Sequence, residues 1–140
     1  MSDPFAKGRC LCGAVTYTIT GEPLRMAQCH CLDCQRASGT GHNTLAFFKA
    51  DDFAITGETN SYSSTADSGN TKTRHFCPTC GSGLYGENSS RPGVVGVTVG
   101  SADAKDWFSP QAVVYARNRP KWDPGLPDIP NFDTMPPAPK

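Results

Sequence analysis

The residues of this chain best equipped for chemistry are its seven cysteines, at positions 10, 12, 29, 31, 34, 77 and 80. They fall into three groups: Cys10-Leu11-Cys12, then Cys29-His30-Cys31-Leu32-Asp33-Cys34, then Cys77-Pro78-Thr79-Cys80. Disulfides are one use for such residues, but an odd count leaves a thiol over and a reducing compartment disfavours bridges. Cysteines two positions apart in an extended segment also fit the geometry of a bridge poorly. Thiolate coordination of zinc is the reading that all three spacings share.

Tetrahedral zinc takes four protein ligands in a structural site, and three plus an exchangeable position in a catalytic one. Seven thiols divide into four and three, which predicts two zinc ions per chain, one of each kind. Cys77-Pro78-Thr79-Cys80-Gly81 has the form of a zinc knuckle, in which proline fixes the turn and the glycine admits positive φ. Cys10-Leu11-Cys12-Gly13 ends in the same Cys-Gly step. Each supplies two ligands, so Cys10, Cys12, Cys77 and Cys80 are expected to close one all-thiolate site. Cys29, Cys31 and Cys34 remain as a local triad, the ligands of an open and catalytic site. His30 sits between two of them and in an extended segment points away from the metal they share. His42 and His75 stand as alternative fourth ligands that would close it.

Three thiolates leave a zinc site net negative, a poor electrophile toward a carbonyl but still thiophilic. An incoming thiol can be held there as thiolate, the reactive form of sulfur at neutral pH. The chemistry this suits is addition of a thiol to an aldehyde, or the reverse. The rival is a non-catalytic binding module in which both metals staple a thin core. Around the triad, His30 is read either as a proton carrier or as a loop-stabilising hydrogen-bond partner. Ser38 and Thr40 are read as donors to a ligand or as turn residues. Arg36 and Arg74, with Arg117, Arg119 and Lys121 as a second group, are the candidates for binding carboxylates. Phe47 and Phe48 are expected in the core or a pocket wall, and Trp122 as an anchor docking the tail.

The elements that must position these groups are short. Ala14–Thr20 alternates as a half-buried strand, and Met26–Cys29 leads into the cysteine loop. Leu32–Ser38 reads as a short helical turn ended by Ser38-Gly39-Thr40-Gly41. Further strands are expected at Leu45–Lys49, Phe53–Thr56, Asn60–Ser63, Thr73–Phe76, Leu84–Gly86, Val94–Val99 and Ala112–Tyr115, with a polar hairpin loop at Ala66–Asn70. Val94–Val99, nearly all apolar, is expected at the centre of a sheet. After Pro120 the prolines at 124, 127, 130, 136, 137 and 139 pair poorly in a sheet, so this tail is expected to wrap the surface or fray.

The 140 residues fit one domain, with a core of about 8–122 and a Pro-rich tail over 123–140. Glycine (14) and proline (12) are frequent enough to favour a turn-rich, mainly β domain over a helical one. Thirteen basic and 13 acidic residues with no basic stripe argue against nucleic acid. No segment reads as a signal peptide or a bilayer span, so the expected compartment is the cytoplasm, with no membrane partner.

Read in order, Gly8-x-Cys10-x-Cys12-Gly13-x-Val15, Cys29-His30-Cys31-x-x-Cys34-x-x-x-x-Gly39 and Arg74-x-Phe76-Cys77-x-x-Cys80-Gly81-Ser82-x-Leu84 resemble the glutathione-dependent formaldehyde-activating (GFA), or centromere protein V, family. Gly100-Ser101-x-Asp103 and Arg119-Pro120-x-Trp122 extend the resemblance, which runs from Gly8 to Trp122. It implies a single β-tent domain, small β-sheets built around zinc. It also implies structural zinc at Cys10, Cys12, Cys77 and Cys80 and catalytic zinc at Cys29, Cys31 and Cys34. The implied activity is formation of S-hydroxymethylglutathione from glutathione and formaldehyde, classed as a carbon–sulfur lyase in reverse.

Overall fold

The computed structural model describes residues 3–136. It contains ten strands: β1 (Ala6–Arg9), β2 (Thr16–Ile19), β3 (Arg25–Cys29), β4 (Asn43–Lys49), β5 (Phe53–Thr56), β6 (Asn60–Thr65), β7 (Thr71–Phe76), β8 (Gly83–Asn88), β9 (Val94–Thr98) and β10 (Ala112–Val114). One α-helix, α1 (Leu32–Ser38), interrupts them. The mainly β expectation holds, and among the described residues no helix is long and apolar enough to cross a membrane.

Two sheets form. The first is antiparallel with order β1-β2-β5, and the second has order β10-β3-β4-β9-β8-β7-β6. Among the strands of the described residues, only β10 on β3 pairs in parallel. Alternation along β2 decides which side of the small sheet is buried: Val15, Tyr17 and Ile19 face inward while Thr16 stays exposed. These side chains share one apolar cluster with Ala46 and Phe48 of β4, Leu84 of β8 and Val95 and Val97 of β9. β9 is the fourth of seven strands, central as its apolar run predicts. Phe48, fully buried, also meets Phe5 and Trp107 at ring separations of 6.0 and 6.1 Å.

The same alternation gives the large sheet a second face. Along β3 and β4, Arg25, Ala27 and Cys29 pair with Phe47, Leu45 and Asn43. Phe47 and Leu45 in turn pair with Gly96 and Thr98 of β9. These residues line a cleft. Core and cleft thus occupy opposite sides of one set of strands.

One expectation needs correction, and one strand lies outside those expected. β1, Ala-Lys-Gly-Arg, holds none of the β-branched or aromatic residues that mark a strand, and it is set by pairing with β2 and by a bridge from Gly8 to Ala102. Trp122 does not dock the tail: its side chain is 69% exposed. The tail wraps the surface instead by backbone bonds beside β10, with Phe132 N–H donating to Val113 O at 2.8 Å and Val113 N–H to Pro130 O at 2.9 Å. Pro137 and Pro139 lie outside the described residues.

Candidate metal centres and cleft

The loop before β2 turns back on itself: Cys10 N–H donates to Val15 O at 3.0 Å and Gly13 N–H to Cys10 O at 3.2 Å. After β7 the chain repeats the device, with Cys77 N–H donating to Ser82 O at 3.0 Å and Gly81 N–H to Cys77 O at 2.9 Å. Gly13 and Gly81 hold φ of 82° and 79°, the left-handed conformation each turn requires. Ser82 ties the loops together by accepting from Leu11 N–H at 3.0 Å.

The Sγ atoms of Cys10, Cys12, Cys77 and Cys80 consequently lie within 4.8 Å of one another. Cys10–Cys12 and Cys12–Cys77 are each 3.7 Å apart. Metal–sulfur arms of about 2.3 Å set a tetrahedral edge of about 3.8 Å, so these separations fit a four-thiolate zinc site. Backbone N–H groups are aimed at the sulfurs, from Val15 to Cys10 at 3.3 Å and from Thr79 and Cys80 to Cys77 at 3.4 and 3.5 Å. The Cys80 thiol is pulled down to about 5 by the Ser82 hydroxyl first, then by the Cys12 and Ser82 backbone amides. Donor set and spacing both suit a thiophilic cation.

Cys29 ends β3, Cys31 caps α1, and Cys34 sits in the first turn of that helix. The cap is the Cys31 sulfur itself, accepting from Cys34 N–H at 3.3 Å. The three Sγ atoms also lie within 4.8 Å of one another, and among the described residues no other cysteine, histidine or carboxylate joins them. Hydrogen bonds from Cys29 and Cys34 pull the Cys31 thiol far down, while hydrogen bonds to Cys31 and Cys34, then burial, push Cys29 far up. Each ionised sulfur thus opposes the ionisation of its neighbours. A bound cation is what lets all three ionise together.

The histidines take other partners. His30 is fully buried, with Nδ1 donating to Gly41 O at 2.7 Å, which favours the loop-stabilising reading over the proton carrier. Its Nε2 has no partner among the described residues. His75 stacks on Tyr85 at 4.3 Å and bonds Glu87 at 2.7 Å, remote from fourth-ligand duty. His42 Nδ1 donates to Asp123 Oδ2 at 2.6 Å. Burial by itself raises the Asp123 carboxyl, but hydrogen bonds from His42 and the Gly125 amide outweigh it and the group ends below its ordinary value.

Cys29, Cys34 and His42 open onto a cleft of about 810 Å³, inside the usual range for small-ligand sites. Arg74 lines it, as does Phe47, while Phe48 lies in the core. Arg36 is exposed on α1, and Arg117 reaches Asp67 at 3.9 Å. Arg119 donates to the Asp123 carbonyl, so the second basic group serves the tail and surface. Ser38 accepts from Thr40 N–H and donates to His42 O, which makes it a turn residue. Sequence reasoning missed Asp123, Tyr115, Phe132, Arg25 and Arg91. Tyr115, the one non-glycine with positive φ among the described residues, packs with Phe132 against the triad.

The family described as glutathione-dependent formaldehyde-activating enzyme matches residues 5–118. No curated protein matches. The crystal structure of a Rhodobacter sphaeroides protein is similar in fold, with a TM-score of 0.58 and 22% identity over 89% of this chain and 98% of that one.

Proposed function

The chain belongs to the glutathione-dependent formaldehyde-activating enzyme family, and from that premise we propose a zinc-dependent carbon–sulfur lyase joining a thiol to a small aldehyde, and the reverse. Glutathione and formaldehyde are the simplest pair. The reading assigns Cys10, Cys12, Cys77 and Cys80 to a structural zinc and Cys29, Cys31 and Cys34 to a catalytic one, within a single domain. The observation that carries it is the triad's setting. Three mutually close sulfurs, two of them lining a cleft, have no fourth donor among the described residues.

When bound, zinc supplies a thiophilic centre that favours the thiolate form of a thiol reaching the triad's open side. The proton falls to His42. Its Nδ1–H is committed to Asp123, which leaves the Nε2 lone pair as acceptor, and the residue lines the cleft. Nε2 takes the S–H proton as the thiol reaches the triad, and the resulting thiolate sulfur attacks the carbonyl carbon. The S–C bond forms, the C=O π pair moves onto oxygen, and the proton passes from Nε2 to that oxygen. The product is a hydroxymethyl thioether, and the reverse sequence is the lyase reaction. The triad's burial favours a second reading: Cys34 is only 1% exposed, as in a non-catalytic zinc-stapled module.

Zinc per chain, measured before and after dialysis against glutathione or a weak chelator, separates the two. Two ions falling to one is expected for one closed and one open site; two ions held equally tightly support the staple. Cys34→Ser is expected to abolish adduct formation while leaving a folded protein, and loss of the fold would point to the second reading.

A further inference from the structure

The cleft is electrostatically lopsided in a chain whose charges balance. Six of the 13 basic residues line it (Arg9, Arg25, Lys72, Arg74, Arg91 and Lys105) against two of the 13 acidic ones, Glu87 and Asp103. Glu87 is already engaged by His75. An excess of cations in a concave site raises the local concentration of anions.

Within that field one arrangement is more specific. The Arg25 and Arg91 guanidinium carbons stand 5.3 and 5.5 Å from the centroid of the same ring, Phe47. Among the described residues neither forms an ion pair. The Arg25 guanidinium is pulled below its ordinary value by burial first and then by the charge of Arg91. Cation–π attraction to one ring offsets part of that repulsion. The rest is relieved when an anion lies between the two forks. The ring is itself fixed by the sheet: Phe47 lies over Gly96, where a Cβ would meet its edge at 3.0 Å.

The distance to the triad is set by the pleat. Arg25 and Cys29 lie four residues apart on β3, on the cleft face, about 13 Å along an extended strand. In a γ-glutamyl tripeptide with a central cysteine, the extended path from the sulfur to the far carboxylate spans roughly 10 Å, and a charge-assisted hydrogen bond adds about 3 Å. Free cysteine or a two-carbon thiol is too short. We propose that Arg25 and Arg91, gathered on Phe47, form a carboxylate seat for a peptide-sized anionic thiol whose sulfur lies at the Cys29–Cys31–Cys34 triad. The sulfur's place rests on the function proposed above; the seat rests on the arginines.

Calorimetric titration of the zinc-loaded full chain with S-methylglutathione and with its diethyl ester tests the seat without turnover. The wild type is expected to bind the acid at least tenfold more tightly than the ester. Arg25→Gln is expected to remove most of that preference. Arg91→Gln, in the turn between β8 and β9, should do the same and serves if the strand substitution impairs folding. Equal binding of acid and ester by the wild type, or an unchanged preference in the variants, overturns the seat. Turnover of glutathione with formaldehyde is read separately. An arginine-dependent preference without turnover keeps the seat and removes the lyase reading; turnover at wild-type KM in both variants removes the seat and keeps the lyase.

Discussion

His42 and Asp123 form the most consequential pair of single residues outside the cysteines. Asp123 comes from the tail, 5% exposed, and fixes the His42 ring by one short hydrogen bond. Such a bond holds the tautomer and orientation that a proton acceptor needs. If His42 carries the thiol proton, His42→Ala is expected to lower kcat for adduct formation by roughly 10²-fold. Zinc per chain should stay unchanged, because the residue belongs to neither thiol cluster. Steady-state kinetics with parallel metal analysis checks both halves. Loss of zinc alongside activity would mean the residue acts on the metal site instead.

At the scale of elements, the β3–β4–β9 ribbon does two jobs from its two faces. Ala46, Phe48, Val95 and Val97 fill the core while Phe47 and Gly96 shape the cleft. Register makes this separation possible, because a one-residue slip would exchange the faces. Gly96 is where the cleft face is most sensitive. A Cβ there meets Phe47 Cε1 at 3.0 Å, so the ring must shift and carry the arginines' platform with it. Gly96→Ala is expected to weaken S-methylglutathione binding several-fold in calorimetry, with zinc per chain unchanged. Wild-type affinity in that variant would show that the ring's position is immaterial.

For the whole molecule, the tail closes the structure over the triad side. Phe132 packs against the cluster of Cys29, Cys34 and Val114, and Asp123 ties the same segment to His42 and lies 3.7 Å from His30. The Asp123 carboxyl sits below its ordinary value when folded, so folding favours its ionised form. Its contribution to stability is complete above the ordinary carboxylate range near pH 4 and is lost as pH falls through the folded value. Asp123→Asn is therefore expected to melt below the wild type at pH 7, with the gap narrowing as pH is lowered toward 3. Thermal melts of the two proteins across that range, at matched zinc content, measure it. A gap that widens on acidification would reverse the assigned sign.

The sequence determined what is local. A knuckle spans four or five residues, so Cys-x-x-Cys-Gly already implies two thiols aimed to one side and the turn that aims them. An apolar alternation likewise located β2, and an apolar run β9, to within a residue or two, with β5 at Phe53–Thr56 and α1 at Leu32–Ser38, because such patterns are local to the backbone. What the tertiary structure decided is everything that depends on register and wrapping. Arg25 meets Arg91 only because β4 pairs with β3 on one side and β9 on the other. His42 meets Asp123 across 81 positions only because the tail returns beside β10. β1 has no strand-forming side chains of its own, and its pairing comes from β2 and Ala102. Residues on separate strands carry no mutual spacing in the chain, so their meeting becomes visible only when hydrogen-bond pairing brings them to one face.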